Sequence, residues 1–238
     1  MDDFTPVRTE RTFEIIANGI RDRIRDGNLR PGDKLPPERE LAQQLGTSRN
    51  ALREALRSLE HAGLISLSKG ARGGAFITDG DPSAVAQSME DLMYLGGAGL
   101  ADVTEARLSI ETAIVEIAAA KGTLADFNRL DMNIDRVEAL TEARDMDAKA
   151  DLNMEFHVLL AEATGNPVLV LIMRTLMDLL RSVHRPVTAE DTADIIKSRR
   201  RFMQLLRARE AAAAAAEMND HLTRLHDLFS RAEMPDSG

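Results

Sequence analysis

A chain of 238 residues, 44% of them hydrophobic, is long enough for two ordinary domains with real cores. The absence of cysteine excludes disulfides, thiolate catalysis and thiolate zinc sites, so any metal would have to be held by histidine, carboxylate or amide. The net charge of -9 argues against nucleic acid only until its distribution is read: residues 1–80 hold 13 Lys and Arg against 12 Asp and Glu, and the remainder 17 against 27, which points to two modules with different partners.

In chain order, apolar residues at Phe13, Ile16, Ile20 and Ile24 predict a helix from Thr12 to Asp26, closed by Gly27 and Pro31-Gly32. A short helix over Glu38–Leu45 follows, with Leu41, Ala42 and Leu45 on one face. Gly46 breaks the chain, and Ser48 can cap a second helix running to His61. The segments LISLS and GAFIT flank the tip KGARG and predict a two-stranded wing. Beyond residue 81 only helical periodicity remains, in segments near 82–95, 102–121, 124–143, 147–164, 167–184, 190–208 and 210–232. The run Ala211–Ala216 falls in a periodic helix, where small side chains permit close packing. The expected fold is therefore mainly α: a winged helix-turn-helix over residues 1–80 and an all-helical bundle over 81–238. No apolar run reaches the roughly 20 residues of a membrane span. The start MDDFTPVRTERTFE lacks an export pattern, so a cytoplasmic protein is expected.

The second helix of a helix-turn-helix lies in the major groove with its N-terminal residues against base edges. Here that end is Ser48-Arg49-Asn50, with Arg53 one turn later. Arginine grips guanine O6 and N7 with two parallel hydrogen bonds, so Arg49 and Arg53 are the expected base readers. Leu52, Ala55, Leu56 and Leu59 form the opposite, core-facing side. Arg39 is placed for a phosphate, Gly70 for close backbone approach, and Lys69 and Arg72 for phosphate or the minor groove.

Isolated arginines of this kind are more often an ordinary solvated face, and the surrounding sequence decides between the two readings. The stretch GNLRPGDKLPPERELAQQLGTSRNALREALRSLEHAGLISLSKGARGGAFI resembles the GntR family of bacterial regulators almost position for position. The resemblance implies DNA contacts at Arg39, Ser48, Arg49, Arg53 and Gly70. Asn50 stands where that family usually has Thr or Pro, a difference able to tune operator preference.

In the helical half, polar residues stand on apolar stripes. One stripe reads Val103, Arg107, Ile110, Ile114, Ile117; another Ile195, Arg199, Phe202, Leu206; a third Ala214, Met218, His221, Leu225. Asn153 and His157 flank a fourth, of Leu152, Phe156, Leu159 and Ala163. A buried guanidinium is strongly unfavourable without an anion, so two inward arginines need internal carboxylates or an anionic ligand. Two readings stay open. In one, Arg107 pairs structurally with Glu111, Arg199 belongs to the exposed run KSRRR, and the histidines are core groups. In the other, the arginines face a ligand. His61, His184 and His226 have no such constellation and read as surface or packing residues.

The stretches EARLSIETAIVEIAA and NMEFHVLLAEATGNPVL, and RARE followed by Ala214, Met218 and His221, resemble the FCD ligand-sensing domain of the FadR-type GntR branch. Many such domains hold a divalent metal through an Asp and three His, and the metal helps hold a carboxylate effector. Mapped here, those positions are Asn153, His157, Arg199 and His221. An amide oxygen is a weak neutral ligand and arginine presents only donors. A zinc or nickel ion would therefore have only Asn153, His157 and His221, an incomplete set, and no cofactor is assigned. The economical alternative is that Arg199 replaces the metal's charge and clamps an effector carboxylate with Arg107, while Asn153, His157 and His221 hydrogen bond to it.

These readings converge on a DNA-binding regulator, a homodimer on a near-palindromic operator, controlled by a small organic acid. The resemblance favours repression relieved by that acid. Two other classes are weighed against it. A metal-dependent hydrolase using His157 and His221 lacks any nucleophile motif, HExxH helix or phosphate loop. An architectural DNA binder without an effector predicts a helical half without inward charges.

Overall fold

The computed structural model describes residues 10–70, 73–80, 83–143, 145–183 and 189–233. Arg72 and His184 lie outside the described residues. The chain separates into two compact units, Met1–Val85 and Ala86–Gly238, each described by itself.

The first unit contains α1 (Glu10–Arg25), α2 (Glu38–Gln44), α3 (Arg49–His61), β1 (Ile65–Ser68) and β2 (Gly74–Ile77). Ile16, Ala17 and Ile20 of α1 bury against the apolar side of α3, where Leu52, Ala55, Leu56 and Leu59 are all inside. One expectation fails locally: Leu45 is exposed rather than on the core face of α2. It caps the helix, and Gly46, at φ 63°, turns the chain so that Thr47 N–H closes onto Ala42 O at 3.0 Å and the leucine is swung outward.

β1 and β2 pair antiparallel, with Ile65 opposite Ile77 and Ser68 opposite Gly74. A bridge from Lys34 to Phe76 adds a third short partner. The wing's chain reversal depends on Gly73: a Cβ there would strike the backbone oxygen of Ser68. Ile65, Ala75 and Ile77 tie the wing to the same core as α3.

The second unit is a bundle of α4 (Ser83–Gly96) from Ala86 onward, α5 (Leu100–Lys121), α6 (Leu124–Ala143), α7 (Met146–Glu162), α8 (Pro167–Val183), α9 (Ala189–Arg207) and α10 (Ala211–Glu233). Helix α5 is packed by α7, α8, α9 and α10, and α6 by α7 and α9. Ala214 and Ala215 are buried in the α10 seam, where their small side chains allow α10 close to its neighbours. Because α5 is covered from several sides, its buried sector is wider than a single stripe. Val103, Arg107, Glu111, Ile114, Val115 and Ala118 are buried, whereas Ile110 and Ile117, expected inside, are only half-buried. Glu111 thus enters the core along with Arg107. Among the described residues, no helix is long and apolar enough to cross a membrane.

Candidate functional site

Two polar arrangements stand out, one in each unit. In the first, Ser48 ends the turn after α2 in extended conformation, and its Oγ accepts from the Ala51 N–H at 3.1 Å, capping α3. Such a cap stabilises a helix by about 1 kcal/mol, and the hydroxyl proton remains free to donate outward. With its apolar side anchored, α3 leaves Arg49, Asn50 and Arg53 exposed. Arg53 Nε donates to Glu38 Oε2 at 2.7 Å, which sets the first turn of α2 beside the second turn of α3. Glu38 was not singled out from sequence, since it lies 15 residues away on another element. Their side chains are 57% and 42% exposed, so the pair is worth at most about 1 kcal/mol and readily exchanges for a stronger partner. Arg39 is exposed on the same turn of α2. At the wing, Lys69 is exposed and Gly70 holds φ 110°, a left-handed conformation suited to glycine.

In the second unit, α5, α7, α9 and α10 bring Arg107, Asn153, His157, Arg199 and His221 together around Glu111. Arg107, Glu111, His157, Arg199 and His221 are 7%, 0%, 2%, 3% and 4% exposed, and with Arg199 so buried the exposed-run reading of that residue is wrong. Arg107 Nε donates to Glu111 Oε1 at 2.5 Å and its Nη2 to His157 Nε2 at 2.8 Å, while His157 Nδ1 lies 2.8 Å from Glu111 Oε2. The three groups satisfy one another if His157 is neutral with its proton on Nδ1. Among the described residues no carboxylate forms an ion pair with Arg199, and Glu111 acts on it only through space. Its Nη1 donates to Asn153 Oδ1 at 2.8 Å, its Nη2 to the Asn153 carbonyl at 3.0 Å, and its guanidinium lies 4.4 Å above the Phe156 ring, a favourable cation–π placement. Phe156, read from sequence only as core, is therefore also the platform for this charge. Within this cluster two buried atoms, Arg199 Nε and His221 Nε2, have no hydrogen-bond partner among the described residues.

The electrostatics follow from burial and proximity. Burial alone would raise the Glu111 carboxyl, but Arg107 and His157 outweigh it and bring it down to about 2. Burial, reinforced by the charge of Arg107, lowers His157 to about 4 despite Glu111. Burial and then Arg199 hold His221 well below the usual histidine range. Burial and Arg107 push Arg199 down to about 9, so it keeps its proton at neutral pH. The cluster thus holds two guanidinium charges, one carboxylate and two neutral imidazoles, an excess of one positive charge away from water.

The residues at the four positions where FCD domains often hold a metal do not make a metal site. Both ring nitrogens of His157 are engaged, by Arg107 and Glu111. The Asn153 amide oxygen is taken by Arg199. Arginine contributes donors and a positive charge where a ligand would contribute a lone pair. Only His221 Nε2 remains, and among the described residues no group of three or more His, Asp or Glu could hold a metal ion.

Comparison with known proteins matches residues 12–77 to the family described as bacterial regulatory proteins, gntR family, and residues 102–224 to the FCD domain. The chain is 31% identical to the Escherichia coli protein named "Putative L-lactate dehydrogenase operon regulatory protein", over 94% of this chain and 89% of that one. It is 27% identical to the Bacillus subtilis HTH-type transcriptional regulator LutR, over 87% and 96%. Among solved structures, a Streptococcus agalactiae GntR protein superposes with a TM-score of 0.66 at 24% identity, covering 92% of this chain and 99% of that one.

Proposed function

We propose, from the premise that this chain belongs to the GntR family of bacterial regulatory proteins and carries an FCD domain, that α3 reads an operator and that the buried cluster of the helical unit receives a small organic acid. Regulators of this family bind DNA and effector ligands, and the chain is a transcription regulator rather than an enzyme. The observation that carries the DNA reading is the two-sided α3, with Leu52, Ala55, Leu56 and Leu59 buried and Arg49, Asn50 and Arg53 exposed behind a Ser48 cap. Arg49 and Arg53 contact base edges, Asn50 adjusts base preference, and Ser48, Arg39, Lys69, Arg72 and the Gly70 backbone hold phosphates or the groove edge.

For the effector, the supporting observation is the uncompensated positive charge around Arg199, which an anion neutralises. The Escherichia coli relative is named for an L-lactate dehydrogenase operon, which is in keeping with a small hydroxy acid. The protein acts in the cytoplasm as a homodimer on a near-palindromic operator, and the acid shifts operator affinity by binding one arrangement of the dimer better than the other. Repression relieved by the acid is the favoured direction. The hydrolase reading is not favoured, because His157 and His221 share no metal-ligating arrangement and the relatives are regulators. The architectural reading is not favoured either, because charges do point inward.

Fluorescence anisotropy with the full chain and a duplex from upstream of its own gene tests the DNA reading. Binding falls steeply with salt, and Arg49→Ala weakens it by about 1–3 kcal/mol, roughly 5- to 150-fold. Lys69→Ala lowers the salt slope by about one, uniformly across sequences. Salt-insensitive binding, or an unchanged Arg49→Ala variant, removes α3 as the reading element.

A further inference from the structure

The four positions at which an FCD domain often builds a metal site carry, in this chain, a wired cation instead. Arg199 is not an arginine that happens to be nearby. Each of its two terminal nitrogens donates one hydrogen bond to Asn153, one to the side chain and one to the backbone carbonyl, and its flat face rests on Phe156. That leaves Nε as the one nitrogen of the guanidinium without a partner, and it is buried. His221 Nε2, from α10, is likewise buried and unpartnered. Arg107, whose charge is felt at both residues, is already neutralised by Glu111. Arg199 is also, after burial, the largest influence on His221, so the two open atoms and the one uncompensated charge belong to one interacting cluster.

Resting on the reading of this unit as a sensor, we infer that its ligand site is metal-independent: the Arg199 guanidinium, clamped by Asn153 and Phe156, is the permanent cation of the site. A small carboxylate bearing a second polar group binds with one oxygen on Arg199 Nε and that second group on His221 Nε2. A divalent ion is excluded on two grounds. It would sit beside a fixed positive charge, and His157 and Asn153 would have to abandon satisfied partners to ligate it. The consequence is a sensor whose response does not depend on metal supply. Its ligand preference follows the two open atoms: an acid whose second polar group reaches His221 Nε2 satisfies both and binds better than one that reaches Arg199 Nε alone.

The test uses the full-length protein purified without added metal, in three arms. Elemental analysis of the wild type finds less than about 0.1 equivalent of divalent metal per chain, and zinc chloride alone leaves the unfolding midpoint unmoved; stoichiometric metal, or a stabilising shift by zinc, overturns the inference. In the second arm, acetate, L-lactate, pyruvate, succinate and D-glucuronate are each added at about 10 mM after EDTA treatment. At least one acid with a second polar group raises the midpoint by about 3 °C or more, and acetate raises it less. No shift with any of them, or a shift abolished by EDTA, overturns it. In the third arm, Arg199→Lys keeps the charge but not the Asn153 fork or the Nε donor, and it loses at least about tenfold in affinity for the stabilising acid; undiminished affinity overturns the assignment. Metal content and ligand-induced stabilisation are measured without DNA, so a failure of operator binding leaves these arms standing and the two readings fail separately.

Discussion

Replacing Glu111 by Gln removes the single carboxylate that faces Arg107 and His157 in the core of the helical unit. Its size follows from two independent considerations. Leaving a buried guanidinium without its partner costs about 3–5 kcal/mol. The drop of the Glu111 carboxyl from 4.5 to about 2 corresponds to about 3 kcal/mol of preference for the ionised form in the folded state. The two agree, and for a chain of this size a loss of 3–5 kcal/mol lowers the midpoint by roughly 6–20 °C. Urea and thermal denaturation followed by circular dichroism at neutral pH read the change. Coupling provides the control: Arg107→Met in the Glu111→Gln background removes the orphaned charge and recovers part of the loss, because the two residues act as one unit. A Glu111→Gln variant within about 1 kcal/mol of wild type, or one made worse by Arg107→Met, refutes the view that this pair is a mutual stabiliser.

Acid sensitivity follows from the histidines. His157 is lowered to about 4 from 6.5 by burial, and His221 moves in the same direction, so the unfolded chain takes up these protons first. Their contribution is full above about pH 6.5 and is lost as pH falls toward 4, with Glu111 adding a second loss from about pH 4.5 downward. Urea midpoints measured between about pH 7.5 and pH 5 therefore decline, and His157→Gln, which can keep both hydrogen bonds without titrating, flattens the decline; a wild-type midpoint constant over that range contradicts the burial argument. Arg209, at φ 60°, donates to the carbonyls of Ala119 and Gly122 at 2.7 Å each and stacks 4.8 Å from Phe127, closing the C-terminus of α5. Arg209→Ala costs about 2–3 kcal/mol, and Arg209→Gly about 1 kcal/mol less because glycine tolerates that φ; an alanine variant more stable than the glycine variant would deny the strained position its role.

How far the molecule could be read in advance depended on whether a feature repeats along one helix or joins two. The helices, the cap at Ser48, the exposed side of α3 and the inward direction of Arg199 and His221 all follow from spacing within a single element, and each is present. Leu45 and the Ile110–Ile117 pair went astray for a related reason. Periodicity assigns a face as though one neighbour covered it, whereas a helix end turns its last side chain out and α5 is enclosed on several sides. Glu38 beside Arg53, and Phe156 beneath Arg199, join residues on different elements or in different roles, and one helix's phase carries no information about which residue stands opposite.

The charge cluster shows what that missing information decides. From sequence, the two arginines were compatible either with a structural Arg107–Glu111 pair and an Arg199 in an exposed run or with an open ligand clamp formed by both, because helical phase alone does not show what stands opposite. The hydrogen-bond inventory separates the two arginines. Arg107 is spent on Glu111 and His157, while Arg199 is held by groups that fix its position without cancelling its charge. The amide, the carbonyl and the Phe156 ring hold that charge in place, an anion beside it would neutralise it, and a residue held that firmly gains little from moving to meet one. On the proposed reading, recognition at this site depends on the ligand fitting a preset guanidinium rather than on the protein rearranging around the ligand.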